Sequence, residues 1–506
     1  MPPISRRANS QAPSPAGLVA LLPAAYALLL PVLFLPFLVD AFVLPRTLLT
    51  VLAGGTLFAL GLLRGRFALG PLGLPALAVA TAAILACAFS VAPALSLAGD
   101  YSWYDSMPVR LAYLGLFIGA AWLGSRRLVA EFFVVGCALA GLEALLEWPP
   151  GPLHLARPDG NLGQAGLLGA LLAMALPLAL ELGARRPRWL LALAPIGLGL
   201  LASGSRSGWL AALAGAGILL VFRVRRRPVL ALGATLGTIG LAAVLGLLLR
   251  PLRELNGDTG SGRPAVWRDA LPMIAARPLT GWGEDTFGTV FGRYQTGDWA
   301  QGQPFARAHS MPLDLAAGQG LLGVGACAWF FITFWRGIWR QPELGGLAGA
   351  CAAYLVWSLL NFDWAPATGA FWLLAGTAWS AVAPARRTLP GAAPSAALRR
   401  GAVAGVAMLL VGVLAALAAD AAYRGGNATL GARLNPLQPR YAAATGSLAG
   451  LRRATDLRDP DPATYVALGD LLQRSGHSAP ARAAWEEALA VFPYDRAARR
   501  RLARGP

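Results

Sequence analysis

The chain has 506 residues, of which 56% are hydrophobic and only 13% charged, with a net charge of +18 and a mean hydropathy of +0.55. A soluble globular chain is about 45–50% apolar and about 25% charged, so that class is excluded for the chain as a whole and an integral membrane protein is implied. All 43 cations are arginines, and they stand in small groups between apolar runs. That spread argues against a nucleic-acid partner, which needs cations clustered on one folded face.

A bilayer core takes about 20 apolar residues per helix, and a pass along the chain finds about thirteen such runs. They lie near 17–39, 46–63, 72–92, 109–123, 128–147, 164–183, 189–203, 207–222, 228–249, 311–335, 345–360, 366–384 and 401–423. The first exceeds a signal-peptide core of about 7–15 residues and is followed by no A-x-A site, so it is expected to stay as a helix. The run over 189–222 is split by SGSRSG. The fold class is therefore an all-α polytopic transmembrane bundle of about 12–13 spans, with a long outer-face loop and a small soluble helical tail.

Every second connection is basic: Arg64 and Arg66; Arg126 and Arg127; Arg185, Arg186 and Arg188; RVRRRP at 223–228; Arg336 and Arg340; then Arg386, Arg387, Arg399 and Arg400. Short cytoplasmic loops carry excess arginine. The alternation predicts an odd number of spans, the N-terminus inside and the C-terminus outside. It puts three larger pieces on the outer face: 93–108, the loop over about 250–310, and a tail from 424. The domains expected are 1–423, a transmembrane unit, and 424–506, an extracytoplasmic helical tail.

The tail is polar, and PATYVALGDLLQRSGHSAPARAAWEEALAVFPYD within it resembles a tetratricopeptide repeat, carrying Tyr465, Leu468, Gly469, Gly476, Ala481, Trp485, Ala488 and Pro493 at the offsets of a helix-turn-helix unit. One or two repeats cannot bury a core alone, so the tail must pack on something. It either caps the membrane unit or docks a protein partner.

Cys87, Cys137, Cys327 and Cys351 each sit in an apolar run and outside metal-ligand spacing of one another, so no metal or disulfide role is expected. The spans hold few charges, Glu143 and Glu181 lying near span ends, which argues against an ion-coupled transporter. GWGEDTFG at 281–288 does not match G-x-G-x-x-G and reads as a turn. No cofactor motif is present.

Cations on the outer face run against the positive-inside rule and call for a reason. Arg206 lies in SGSRSG at an outer span end, flanked by small residues that let a ligand come close. Such an arginine either snorkels to lipid phosphate or binds an anionic substrate. Arg263 and Arg268 stand in SGRPAVWRDALPMIAARPL on different parts of a helix surface, so one can face a site and the other solvent. Arg157, Arg307 and His154 are further outer-face positions; His477 reads as a tail turn; His309 directly precedes a span.

In order, GSRSGWLAAL, GRPAVWRDALPMIAARPLTGWGEDTFG and AHSMPLDLAAGQGLLGVG resemble the signature region of the O-antigen ligase and polymerase superfamily of polyprenyl-phosphate-dependent membrane glycosyltransferases. The likeness extends to SVAPALSLAGDYSWYD at 90–105 and RPDGNLGQAGLLGALLAMALPLAL at 157–180, and the tail is similar to that of many members. The resemblance implies transfer of a glycan from undecaprenyl diphosphate to a hydroxyl acceptor at the outer face of a bacterial inner membrane. It implies that Arg206 and Arg263 hold the diphosphate and that His309 is catalytic, with Arg157, Arg268 and Arg307 as secondary candidates. Two positions depart from the family pattern: Ser310 stands where Asn is frequent, and Trp103, Tyr104 and Asp105 replace a basic residue and glycine.

The chemistry agrees. A diphosphate is already a good leaving group and needs cations rather than a strong acid; arginine supplies a charge that does not deprotonate. A sugar hydroxyl does need a base, and imidazole suits that task near neutral pH. The partners implied are a lipid-linked glycan donor, a glycolipid or glycan acceptor and membrane lipid. The rival readings are a repeat-unit polymerase, a protein O-oligosaccharyltransferase, a non-enzymatic lipid-linked glycan flippase and a scaffold acting through its tail.

Overall fold

A computed structural model of the chain describes residues 15–64, 69–147, 157–225, 230, 237, 262–299, 302–383 and 394–504. The expected span at 228–249, apart from those two isolated residues, all of 250–261, His154, Arg66, Arg386 and Arg387 lie outside them.

The described elements are helical, and strands are absent among them. They are α1 (Pro15–Val32), α2 (Val43–Leu63), α3 (Gly73–Ala88), α4 (Pro93–Ala98), α5 (Met107–Leu123), α6 (Arg126–Glu147), α7 (Ala165–Arg185), α8 (Leu193–Ala202) and α9 (Arg206–Val224). Then follow α10 (Arg263–Ala276), α11 (Phe287–Val290), α12 (Met311–Ile338), α13 (Gly345–Leu359), α14 (Ala365–Trp379) and α15 (Ala396–Arg424). The tail comprises α16 (Ala428–Leu434), α17 (Pro439–Ala443), α18 (Leu448–Asp456), α19 (Pro462–Arg474), α20 (Ser478–Val491) and α21 (Arg496–Ala503).

Among the described residues seven helices are long and apolar enough to cross a membrane, and Val19–Val32, Met107–Leu123 and Pro187–Ala202 are shorter apolar helices. The chain is thus an all-α, multi-pass membrane protein. Helices suit that solvent because each satisfies its own backbone. Prolines mark where several begin: Pro108, Pro264, Pro312 and Pro366 all fall in first turns, where a missing N–H costs nothing.

Packing follows the small residues, as in lipid it must. A Cβ on Gly54 of α2 would lie 2.3 Å from the Ala112 carbonyl of α5, and one on Gly208 of α9 would lie 2.9 Å from Gly169 of α7. All fifteen residues of α14 are buried, which makes it the centre of the bundle. Antiparallel α9 and α13 are registered by Gly215 against Gly349 and Phe222 against Gly345. The Arg206 end of α9 therefore runs beside the end of α13 that leads to Phe362.

The break expected at SGSRSG separates α8 from α9. A second break was not legible in the apolar run over 311–335. Gly320 interrupts α12 with φ 62° and ψ −160°. The backbone freed there is taken up by the Pro278–Gly283 segment: Leu321 N–H donates to Pro278 O at 2.7 Å, Trp282 N–H to Ala317 O at 2.8 Å and Gly283 N–H to Gly318 O at 3.0 Å. GWGED is a turn, as its sequence suggested, and it is a turn because it docks into a broken helix. Backbone irregularity within a membrane bundle is tolerated where protein covers it.

The tail packs on this same end. Asp420 of α15 accepts from Tyr101 Oη at 2.6 Å, Tyr441 Oη at 3.0 Å and Val39 N–H at 2.7 Å. Gln438 donates to Gly99 O at 3.1 Å, and Gly297 N–H donates to Tyr494 Oη at 2.6 Å. Within the tail, Tyr465, Leu468, Ala481, Trp485 and Ala488 are buried between α19 and α20.

Candidate functional site

The site is built on a layer of buried charge. Arg110, in the first turn of α5, reaches Asp105 at 2.6 Å and Glu284 at 3.4 Å, and also pairs with Asp363. Arg307, buried in the segment before α12, pairs with Asp285 and lies 3.5 Å from Asp105. Asp285 also accepts backbone N–H groups from Asp100 at 2.6 Å and Asp105 at 2.9 Å. Gln319, beside the α12 break, donates to Glu284. Burial drives the Asp105 carboxyl well above the ordinary carboxylate range and raises Glu284 and Asp285, with Arg110 and Arg307 pulling the other way. Among the described residues, Asp105 Oδ1 and Arg307 Nε are buried without a hydrogen-bond partner.

This layer fixes the strand of chain that carries His309. Ala308, its neighbour, is held on both sides: its N–H donates to Asp314 Oδ1 at 2.8 Å and its carbonyl accepts from the Trp267 indole at 2.9 Å. His309 itself stands at φ 53°, a left-handed conformation uncommon for residues other than glycine. Such a residue persists only where its surroundings over-determine it. Its half-buried ring lies 5.9 Å from that of Phe305 and 5.2 Å from that of Phe362. Phe362 in turn meets Trp103 at 4.8 Å, and the Arg307 guanidinium lies 5.7 Å from the Trp103 ring.

Arg263 is the first residue of α10 and half-buried. A Cβ on the preceding Gly262 would lie 3.7 Å from Phe305 and from Trp299. Phe305 thus neighbours both His309 and the residue that precedes Arg263. Arg206 is the first residue of α9 and half-buried, after Ser205, whose hydroxyl caps the helix by accepting from Gly208 N–H at 3.2 Å. Arg157 joins it on the same turn, donating from Nε to Ser203 O at 2.9 Å. The α9–α13 register carries this arginine pair to the end of the bundle that holds Phe362 and His309.

The two remaining candidates go elsewhere. Arg268 is 60% exposed and pairs with Asp269 at 2.8 Å. Asp269 also accepts from Thr296 N–H at 2.8 Å and the Trp299 indole at 2.9 Å. Burial would raise that carboxyl, and the bonds from Arg268, Thr296 and Trp299 outweigh it and hold it below the ordinary range. Arg268 therefore belongs to a clasp that ties α10 to the segment over 296–299. Arg307 is occupied by carboxylates in the buried layer.

Sequence reasoning passed over Arg110, Glu284, Asp285, Asp314 and Asp363. One signal was available for Arg110, a cation at a span end that the sequence leads one to expect on the outer face, where the positive-inside rule disfavours it. Asp363 had none, being 253 positions away from the arginine it meets. Arg46, wholly buried in α2, was likewise unmarked; it donates to Leu30 O at 2.8 Å and to Asn161 Oδ1 at 2.8 Å. Among the described residues no three His, Cys, Asp or Glu side chains are grouped to hold a metal ion, and the four cysteines are unlinked.

Compared with known proteins, residues 190–328 match the family model described as O-Antigen ligase. No curated protein and no solved structure matches the chain.

Proposed function

We propose that the chain, carrying an O-Antigen ligase match, transfers a glycan from undecaprenyl diphosphate to a hydroxyl of a lipid-core sugar, as a metal-independent glycosyltransferase of lipopolysaccharide assembly at the outer face of a bacterial inner membrane. One observation carries this reading. The matched segment runs from before α8 into α12 and so contains Arg206, Arg263 and His309 together. The left-handed backbone of His309 supports a role for it, because strain of this kind concentrates at working sites.

In the reaction His309 takes the proton of the acceptor hydroxyl as its oxygen bonds to the anomeric carbon of the donor. The bond from that carbon to the phosphate oxygen breaks, and undecaprenyl diphosphate leaves with the electron pair. Arg206 and Arg263 stabilise the charge that develops on it, with Arg157 behind Arg206. Arg307 and Arg110 act through position, by holding the segment that bears His309. The N-terminus is cytoplasmic in this scheme. Residues 424–506 form an extracytoplasmic tetratricopeptide-like unit over the catalytic loop, which also offers a surface to a protein partner.

The test is transfer by the purified chain from lipid-linked donor to core glycolipid, read by mass spectrometry. His309→Ala should lower the rate by roughly 10²–10⁴, the range for losing a positioned base. Full transfer by the Arg206→Ala, Arg263→Ala and His309→Ala variants, all normally inserted, would overturn the reading. Growth in repeat number without any lipid-core acceptor would make the chain a polymerase instead.

A further inference from the structure

At the other end of the bundle lies a cavity of about 600 Å³ between α6, α7, the turn Pro187–Ala192 and the start of α13. The 21 residues of α7 put it roughly 30 Å from the Arg157–Arg206 turn, at 1.5 Å per helical residue. Its walls hold Arg126, Arg127, Arg185 and Arg186 together with Glu131, Glu181 and Glu343. Four guanidiniums against three carboxylates leave one positive charge.

The pairing says where that charge is free. Arg127 meets Glu131 at 2.8 Å, Arg185 meets Glu181 at 2.6 Å and Arg126 meets Glu343 at 3.6 Å. Arg186 is exposed and has no ion pair among the described residues. Beside it, Trp189 also lines the cavity. The two are joined by a hydrogen bond of 3.0 Å from the Trp189 backbone N–H to Arg186 O, so both residues belong to one turn.

We infer that this cavity binds the phosphodiester headgroup of an anionic membrane phospholipid, with Arg186 as its donor. A phosphodiester carries one negative charge, which the excess of one guanidinium matches. Basic pockets between helices at a membrane face are suited to anionic headgroups. The surroundings favour a lipid over a free anion: Leu190 and Leu191, next to Trp189, are 47% and 79% exposed, and so present an apolar surface where acyl chains would lie. Tryptophan at this level is typical of a membrane–water interface.

The experiment uses the full chain in phosphatidylcholine nanodiscs doped with phosphatidylglycerol, with retained lipid counted by native mass spectrometry. The wild type should retain phosphatidylglycerol over phosphatidylcholine. Arg186→Ala should weaken that retention roughly tenfold, as loss of a charge-assisted hydrogen bond does. Arg340→Ala, an exposed arginine outside the cavity walls, should leave it unchanged. Equal retention of the two lipids, wild-type retention by Arg186→Ala, or an equal loss in Arg340→Ala would overturn the proposal. So would displacement of the lipid by millimolar inorganic phosphate, which would mark a site for the free anion. No glycan transfer is read, so the outcome stands apart from that of the proposed reaction.

Discussion

The two ends of the bundle both carry arginines paired with carboxylates, and they use them in opposite ways. At the end bearing His309, Arg110 and Arg307 are 12% and 4% exposed and lie among carboxylates that are themselves buried. At the other end, Arg126, Arg127 and Arg185 are 44%, 58% and 63% exposed, and two of the three pairs are simple i,i+4 contacts on one helix. Two charges about 4 Å apart attract roughly four times more strongly at an effective dielectric of 20 than in water. Burial thus turns ion pairs into positioning devices at one end. Exposure at the other leaves them weak as fasteners and open to ligands.

The largest effect that could break this contrast is at Arg110. Arg110→Ala leaves Asp105, Glu284 and Asp363 without their shared cation, and removing one partner of a buried pair costs about 3–5 kcal/mol. Thermal unfolding of the purified chain should show it; a change below about 1 kcal/mol would mean the layer is not structural.

A pH effect comes next. Asp459, buried within the tail, is pushed up to about 6, chiefly by burial, while Thr464 and the Asp461 N–H hold it down. A carboxyl raised on folding stabilises the fold fully below its unfolded value of about 4, and that contribution is lost as pH rises through 6. The tail should become easier to cleave by protease between pH 4 and 7, by roughly 2–3 kcal/mol of opening free energy. Asp459→Asn should flatten the profile.

Smaller still is the effect of the clasp at Asp269. Asp269→Ala removes the acceptor of Thr296, Trp299 and Arg268 and should cost about 1–3 kcal/mol, the penalty for orphaned buried donors. Hydrogen exchange over 292–299 should rise while the spans stay protected. The smallest change belongs to the opposite end: Arg127→Ala breaks an exposed i,i+4 pair worth about 0.3–0.5 kcal/mol and should hardly move the melting temperature. A shift as large as that of Arg110→Ala would erase the distinction between the two ends.

Legibility in the sequence followed the range of the interaction. Apolar runs mark spans because each helix satisfies its own backbone, and twelve of the runs read from the sequence correspond to described helices. SGSRSG and GWGED announced themselves through glycine and serine. The break at Gly320 did not, because AAGQGLLG continues as a helix unless the Pro278–Gly283 segment is there to receive its backbone groups. His309 was singled out by a motif, yet its left-handed backbone depends on Asp314 and Trp267 holding Ala308 from either side.

By itself, then, the sequence determined the membrane character, the run of helices and the three residues proposed for chemistry, because hydropathy, turn residues and short motifs act over a few positions. Only the tertiary structure decided that Arg307 serves a buried layer, that Arg268 closes a clasp and that Arg110 meets Asp363. Those pairings join segments distant along the chain, and a charge's partner is set by which segments the packing of small residues brings together.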